Sequence, residues 1–211
     1  MSKNLYIISG CNGAGKTTAS YTVLPEILDC REFVNADEIA RGLSPFNPES
    51  VAIEAGKLML QRIEDLLAKD ETFSIETTLA TKSYIDLVRR AQAKGYVVKV
   101  LFFWLNSPEL ALLRIAERVS KGGHNIPEEI VRRRYSAGIN NLFHLFMDEA
   151  MSNKELNDFS EKLRNGLKLA EKRMLEEKAI HGEDIIVSSD GVTFMRIPAK
   201  QVIAENSVFQ D

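Results

Sequence analysis

The 211-residue sequence has few of the residues that build disulfide frameworks and zinc sites, with only two cysteines and three histidines. Cys11 lies in a glycine-rich stretch, where a disulfide to Cys30 would obstruct a ligand. His144 and His181 have no partner residues at the spacing of zinc ligands. The sequence therefore gives no indication of a zinc site or of a disulfide-stapled secreted fold, and we expect a protein of the reducing cytoplasm.

An excess of positive charge and long apolar runs are also missing. The chain carries 27 Lys and Arg against 30 Asp and Glu, which gives a formal net charge of -3. Such a chain has no basic field that would attract nucleic acid. No apolar run approaches the about 20 residues of a transmembrane helix, and residues 1–4 lead into a short apolar strand without the longer core of a signal peptide. We expect no nucleic-acid partner, no membrane span and no targeting segment.

What is present is an ordinary globular composition, with 45% hydrophobic and 27% charged residues, which suits one folded core. Short apolar runs rich in β-branched and aromatic residues alternate with segments of helical period. We predict strands at 5–9, 33–36, 73–75 and 97–105, and helices at 16–28, 48–68, 83–94 and 108–120. This βαβ rhythm predicts an α/β fold in three layers, with a mostly parallel sheet and helices on both faces.

The pattern changes after residue 120. Residues 121–125 are rich in helix breakers and Pro127 begins a new helix, which predicts a mobile lid near residues 119–127. Apolar residues then recur every three or four positions from 153 to 178, as in one long amphipathic helix. Two short strands between 184 and 198 predict a β-hairpin that turns at Ser189, Asp190 and Gly191.

These signals divide the chain into a core, residues 1–150, and an extension, residues 151–211. The apolar stripe of the long helix must be buried, because an isolated helix gains little from propensity alone. Either the core of this chain or a partner, such as a second copy, would cover it. We favour the core, so that the extension packs on residues 1–150.

Residues 10–17 match the phosphate-loop pattern G-x-x-x-x-G-K-[ST] at every fixed position. They follow an apolar strand and open a helix, so that backbone N–H groups and the helix N-terminus can hold phosphate oxygens. Lys16 is expected to reach the β- and γ-phosphates, and Thr17 to offer its hydroxyl to Mg²⁺. The expected cofactors are ATP or GTP with Mg²⁺. The nucleotide-binding set is Gly10, Cys11, Asn12, Gly13, Ala14, Gly15, Lys16, Thr17 and Thr18.

Asp37 ends the second predicted strand, at the edge of the sheet where open α/β proteins hold their ligands. Its carboxylate is expected to accept the proton of an attacking hydroxyl or to position Mg²⁺. The alternative is that Asp37 caps the helical turn that begins at Ile39. Glu38 is the weaker candidate for the same role.

Glu76, Thr77 and Thr78 end the third predicted strand at the same edge. A carboxylate beside hydroxyls is suited to bind an acceptor hydroxyl or a metal-bound water. Alternatively, Glu76 pairs with a neighbouring cation and the threonines cap a turn.

Basic residues gather beyond the fourth predicted strand. Phosphoryl transfer spreads negative charge over the γ-phosphate oxygens, and mobile arginines stabilise that charge. Arg118 is our first choice for this task because it lies nearest the loop, and Arg114 shares its helical face. At least two of the six arginines and lysines in the set are expected to be solvated surface charges. The set is Arg114, Arg118, Lys121, His124, Arg132, Arg133 and Arg134.

Four segments together resemble the zeta-toxin family of P-loop kinases, in its short chromosomal form, over about residues 3–146. They are 10–18 (GCNGAGKTT), 33–45 (FVNADEIARGLSP), 74–79 (SIETTL) and 118–135 (RVSKGGHNIPEEIVRRRY). The resemblance implies a P-loop kinase-type fold and a kinase that phosphorylates a sugar hydroxyl of UDP-N-acetylglucosamine, with an antitoxin as partner. A housekeeping metabolite kinase and a nucleotide-binding regulatory module are the alternatives.

The resemblance also implies roles for single residues. Lys16 becomes the phosphate lysine, Asp37 the general base and Arg118 a phosphate-clamping residue. Glu76 and Thr77 become contacts to the acceptor sugar. Thr78, His124 and Arg133 are placed with the acceptor as well, and His124 falls near a second clamping arginine of the larger toxins.

One departure from the family lies after Phe146, where members continue into a further strand that borders the nucleotide base. Here residues 147–151 (MDEAM) follow instead. Either residues 184–188 substitute for that strand, or the base site is altered.

Overall fold

The computed structural model describes residues 3–123, 125–146, 153–188 and 193–205, and four parallel strands form the sheet at its centre. The strands are β1 (Asn4–Gly10), β2 (Glu32–Val34), β3 (Phe73–Thr77) and β4 (Val97–Phe103), in the order β2-β3-β1-β4. β1 lies between β3 and β4, so Ile7 stands opposite Ile75 and Val100. A parallel strand in this position is covered on both faces, which explains why the middle of β1 is a continuous apolar run.

Helices cover both faces of this sheet. Leu5 and Ile7 point to one face and join a core cluster with side chains of the third and fourth helices. Tyr6 and Ile8 point to the other face and cluster with Leu24 of the first helix. The predicted three-layer α/β class is therefore confirmed. The helices of this part are α1 (Lys16–Glu26), α2 (Ala36–Leu43), α3 (Ala52–Ala68), α4 (Ser83–Ala93), α5 (Pro108–Ser120) and α6 (Glu128–Phe146).

The second strand is shorter than predicted, because a helix begins where the strand was expected to continue. β2 ends at Val34, and the Asn35 side chain caps α2 by accepting hydrogen bonds from the N–H groups of Asp37 and Glu38. The helix cap is thus Asn35 rather than Asp37, and Asp37 lies in the first turn. α2 is a complete helix that the polar residues of this segment did not indicate in the sequence.

The chain beyond residue 150 adds a long helix and a separate small sheet: α7 (Asn153–Ile180), β5 (Asp184–Val187), β6 (Met195–Pro198) and α8 (Ala199–Glu205). β5 and β6 pair antiparallel, with Ile185 opposite Ile197, which confirms the hairpin. Its predicted turn, Ser189 to Gly191, lies outside the described residues. α8 was not predicted.

The long helix packs along α1. A Cβ built at Gly166 would lie 2.8 Å from Ile27 Cγ1 and 3.3 Å from Val23 Cγ2. Arg173 of α7 forms an ion pair with Glu26 at the end of α1. The two helices therefore approach so closely that a side chain larger than hydrogen at position 166 requires its neighbours to move.

None of the described helices combines the length and hydropathy needed to cross a membrane.

The substitution Gly166→Leu is expected to lower the free energy of unfolding by about 1–3 kcal/mol, because it overfills the contact between α1 and α7. The matched control is Gly56→Leu in α3, where an added Cβ meets nothing within 4 Å. At position 56 leucine should raise the free energy of unfolding by about 0.5–1 kcal/mol, because its helix propensity is higher than that of glycine. Urea unfolding measures both variants, and equal effects of the two would contradict the packing of α7 on α1.

Candidate active site

The loop between β1 and α1 has a backbone conformation that residues with a Cβ atom would not adopt easily. Gly10 adopts φ 136°, and a Cβ there would lie 2.2 Å from the carbonyl oxygen of Phe103. Gly13 and Gly15 also have positive φ, and the space around the missing Cβ of Gly15 is open. Gly15 is the N-cap of α1 and makes no side-chain cap bond. The first N–H groups of α1 are thus left to a ligand, which fits phosphate oxygens.

Lys16 is folded back over this loop and is only 6% exposed. Its Nζ donates a hydrogen bond to the Cys11 carbonyl oxygen at 3.0 Å and lies 3.7 Å from Glu76 Oε1. Burial lowers the pKa of Lys16, and the nearby charge of Glu76 opposes that change. A buried ammonium beside backbone N–H groups is the arrangement that a phosphate chain requires.

Glu76, at the end of β3, joins three elements of the fold. Thr17 Oγ1 donates to Glu76 Oε2 at 2.9 Å, and Asn35 Nδ2 donates to the same oxygen at 3.0 Å. Burial raises the pKa of Glu76, while the Lys16 charge and the Thr17 hydrogen bond act against it. A hydroxyl and a carboxylate in contact are hard oxygen ligands, so this pair fits Mg²⁺ and its bound waters.

Asn35 holds the second carboxylate in place. Its Oδ1 accepts a hydrogen bond from the N–H of Asp37 at 2.8 Å, while its Nδ2 binds Glu76. One amide therefore connects the two acidic residues, and Asp37 is exposed to the cleft in the first turn of α2. Sequence reasoning missed Asn35, although a polar residue two positions before an acidic first turn is a helix-cap signal.

Three arginines from two helices line the cleft opposite the carboxylates: Arg114, Arg118 and Arg134. Desolvation by the cleft walls lowers the pKa of Arg118, and the charge of Asp37 opposes this. Arg114 Nη2 donates to the Ile186 carbonyl oxygen at 3.4 Å. Arg134 Nη1 donates to Asn12 Oδ1 of the phosphate loop at 3.3 Å. The site is thus lined by these cations as well as by the carboxylates of Asp37, Glu76 and Glu117.

Three residues predicted for the acceptor do not join this constellation. Arg133 is exposed and does not line the cleft, because one residue along a helix turns by about 100° and brings Arg134 inward instead. The Thr77 hydroxyl accepts a hydrogen bond from the Leu79 N–H, so it caps a turn, and neither it nor Thr78 lines the cleft. His124 lies outside the described residues.

The cleft has a volume of about 1520 Å³ and reaches from α2 to the C-terminal segment. A cleft of this size exceeds the roughly 300–1,000 Å³ typical of sites for one small ligand. It therefore has room for a nucleotide and an acceptor together. Exposed aromatic side chains of Tyr21 and Phe46 lie on its α2 side.

An ion-pair cluster joins α5 to the end of α7 beside the cleft. Lys178 Nζ lies 2.9 Å from Glu183 Oε2, and Lys121 Nζ lies 3.0 Å from Glu117 Oε1 and also pairs with Glu183. Hydrogen bonds from Lys121 and Lys178 lower the pKa of Glu183 to about 2. This cluster fastens the predicted lid region to the C-terminal segment.

A sequence model of the zeta toxin family matches residues 1–145. The chain belongs to the zeta toxin family. This confirms the resemblance seen in the sequence. A second model, of a domain of unknown function (DUF8506), matches residues 151–208.

Single proteins are similar to this chain as well. An uncharacterized protein of Haemophilus influenzae is 32% identical over 126 residues, which cover 60% of this chain and 88% of the relative. The structure from the PezAT chromosomal toxin-antitoxin system of Streptococcus pneumoniae has a TM-score of 0.54 and 18% identity, covering 83% of this chain and 87% of its own.

A proposed kinase from Chloroflexus aurantiacus has a TM-score of 0.52 and 17% identity, covering 64% of this chain and 80% of its own. At these identities the two structures show the shared fold. Family and fold together make this protein a P-loop kinase, a class that uses a nucleotide and usually Mg²⁺.

Replacing Asn35 by alanine removes both the α2 cap and a hydrogen bond to a buried carboxylate. We expect Asn35→Ala to lower the free energy of unfolding by about 1–3 kcal/mol. Asn47 precedes a short 3₁₀ helix (Pro48–Val51) and makes no side-chain cap bond, so Asn47→Ala should change stability by less than about 0.5 kcal/mol. Urea titration compares the two, and similar losses would contradict the role of Asn35 as the cap of α2 and partner of Glu76.

The Glu183 cluster is expected to give a pH-dependent stability. Because the folded-state pKa is depressed from 4.5 to about 2, its contribution is present above pH 4.5 and is lost as the pH falls toward 2. Solvent screening limits it to about 1 kcal/mol. The difference in unfolding free energy between the parent and Glu183→Gln should therefore shrink with acidification. Glu177→Gln, at an exposed position of α7, serves as control, and a pH-independent difference would argue against the cluster.

Proposed function

We propose that this protein is an ATP- or GTP-dependent kinase that transfers the γ-phosphate to a hydroxyl of a small acceptor. The acceptor class implied by the family is a nucleotide sugar such as UDP-N-acetylglucosamine. One observation carries the proposal. The phosphate loop, the Thr17–Glu76 pair and the Asp37 carboxylate face one cleft, which Arg118 enters from the other side.

Phosphate binding would use residues 10–18, which include Lys16. The glycine backbone and the uncapped start of α1 offer N–H donors to the phosphates, and Lys16 neutralises their charge. Thr17 and Glu76 would hold Mg²⁺ directly or through water. The ion, when bound, neutralises charge that develops on the transferred phosphate.

Asp37 is the residue proposed to take the proton of the acceptor hydroxyl. It is exposed, lies at the start of a helix and is fixed through its N–H by Asn35. Glu76 is less suited to that role, because Thr17 and Asn35 already occupy its oxygens. Arg118 would close on the γ-phosphate and stabilise the charge of the transition state.

On the acceptor side, the cleft offers the aromatic rings of Tyr21 and Phe46, which is 102% exposed. Rings at the mouth of a polar cleft stack well on a nucleobase, and this favours a nucleotide-linked acceptor over a simple sugar. Thr77, Thr78, His124 and Arg133 keep their acceptor roles as predictions from the sequence.

The biological proposal is a cytoplasmic toxin that is restrained by an antitoxin protein. Its support is the Streptococcus pneumoniae neighbour, which comes from a toxin-antitoxin system. We divide the chain into a kinase core, residues 1–150 with a lid at 119–127, and an extension, residues 151–211. A housekeeping metabolite kinase would share the chemistry, whereas in a binding module Asp37 would have no acceptor to act on and could only position a water molecule.

The test is a transfer assay with γ-labelled ATP or GTP and a panel of acceptors, including UDP-N-acetylglucosamine, other nucleotide sugars and free sugars. Asp37→Asn should lower transfer at least about 100-fold, with nucleotide affinity within a few-fold of the parent. Glu38→Gln is the control, because Glu38 pairs with Arg41 at 2.8 Å, and it should retain activity.

Lys16→Ala should instead weaken ATP binding in calorimetry, since it removes the phosphate-binding cation. Equal transfer by the parent and Asp37→Asn would remove Asp37 from catalysis. A parent that binds nucleotide and phosphorylates no acceptor would favour the regulatory module.

A further inference from the structure

One face of α6 lies against the chain that leaves the carboxyl end of β3. Gly138 is buried there, and a Cβ at its position would lie 2.6 Å from the carbonyl oxygen of Thr78. Three residues further on, Asn141 is only 9% exposed, and its Nδ2 donates a hydrogen bond to the Leu79 carbonyl oxygen at 2.8 Å. The absence of a side chain at position 138 thus allows the close approach, and the buried amide holds it.

The turn that receives α6 is itself fixed. The Leu79 N–H donates to the Thr77 hydroxyl at 3.0 Å, and Leu79 has φ 57° and is fully buried. This conformation is uncommon for a residue with a Cβ and persists only where its surroundings hold it. The turn follows directly on β3, which carries Glu76. α6 is therefore fastened to the strand that supplies the buried carboxylate of the cleft.

Arg134 lies on the same face of α6. Positions 134, 138 and 141 are four and three residues apart, so they lie within about 60° of one another around the helix. Holding Gly138 and Asn141 against the turn therefore also fixes the direction of Arg134. Its Nη1 donates to Asn12 Oδ1 of the phosphate loop at 3.3 Å. Arg133, which is turned by about 100° from Arg134, is exposed.

Arg134 is the member of this face that can act on a ligand, because it lines the cleft. A guanidinium has five N–H donors, so the bond to Asn12 leaves donors for an oxyanion. Arg132 forms ion pairs with Glu109 and Glu128, whereas no carboxylate in the described part of the chain pairs with Arg134. A cation without an acidic partner that contacts the phosphate loop fits an anionic phosphate chain.

We propose that Asn141 is a positioning residue for nucleotide binding. Together with Gly138 it sets the rotation of α6, and this rotation places Arg134 where it donates hydrogen bonds to the phosphate chain held by residues 10–18. The inference rests on the proposed nucleotide binding. Asn141 does not line the cleft, since its amide is buried against the backbone of the turn. It acts on the ligand through Arg134.

The phosphate contact is tested by calorimetry with Mg²⁺–ATP and with Mg²⁺–tripolyphosphate, which has the phosphates without sugar or base. Arg134→Gln should weaken the binding of both probes by the same factor, at least about tenfold, because it removes a charge-assisted hydrogen bond. Arg134→Lys keeps the charge and should lose less. The matched control is Arg89→Gln, since Arg89 is an exposed residue of α4 that does not line the cleft. Its affinities should stay within about twofold of the parent.

The positioning role is tested by a double-mutant cycle. Asn141→Ala should weaken ATP binding about threefold in the parent, because the hydrogen bond that fixes α6 is lost, and should cause no further loss in Arg134→Gln. Asn140→Ala, at the exposed neighbouring position, is the control and should leave the affinity unchanged. Thermal melting shows that each variant is folded. Gly138→Ala, which pushes α6 away from the Thr78 carbonyl, replaces Asn141→Ala in the cycle if that variant does not fold.

Unchanged affinities in a folded Arg134→Gln protein would overturn the phosphate contact, and so would a loss for ATP without a loss for tripolyphosphate. A larger loss in Arg133→Gln than in Arg134→Gln would overturn the assigned rotation of α6. If Asn141→Ala had the same effect in the parent and in Arg134→Gln, its role would be structural and the positioning role would be wrong. A parent that binds neither probe would instead disprove nucleotide binding itself.

Discussion

The structure depends on a buried ionic cluster at the edge of the sheet, where Lys16 and Glu76 lie 3.7 Å apart with little access to solvent. Taking such a pair out of water is costly, and mutual attraction alone rarely compensates for it. Additional hydrogen bonds from Thr17 and Asn35 to the carboxylate, and from Lys16 to Cys11, provide the remaining stabilisation. An apolar pair would hold the elements together as well, so these charges are best explained by chemistry.

The cluster sits where it does because all four strands run parallel. Their carboxyl ends meet at one edge, which brings α1, the β2–α2 junction and the end of β3 together. The apolar layers on both faces of β1 support this edge. The polar groups are therefore positioned by packing that is mainly apolar, and the cleft in front of them is open to ligands.

The cleft extends beyond the part of the chain that the zeta toxin model matches. The zeta toxin model ends at residue 145, but the cleft is lined by residues as far as Val187. Ile186 packs against the phosphate loop side of α5, and the Glu183 ion pairs tie the same segment to the end of that helix. The end of α5 and this segment are consequently held together by ion pairs and by packing.

Short stretches of sequence determined those parts of this protein that depend only on residues close together in the chain. The phosphate loop, its glycines and the buried strands follow from contiguous motifs and apolar runs, and the three-layer class follows from their alternation. Tertiary structure decided the rest. The rotation of α6 about its axis, which is set by packing, decides that Arg134 rather than Arg133 lines the cleft. The Thr77 hydroxyl accepts a hydrogen bond from the backbone N–H of Leu79. Asn35 acquired its role only because β3 brings Glu76, 41 residues away, to its amide. Contacts between distant segments depend on packing geometry, which no short stretch of sequence encodes.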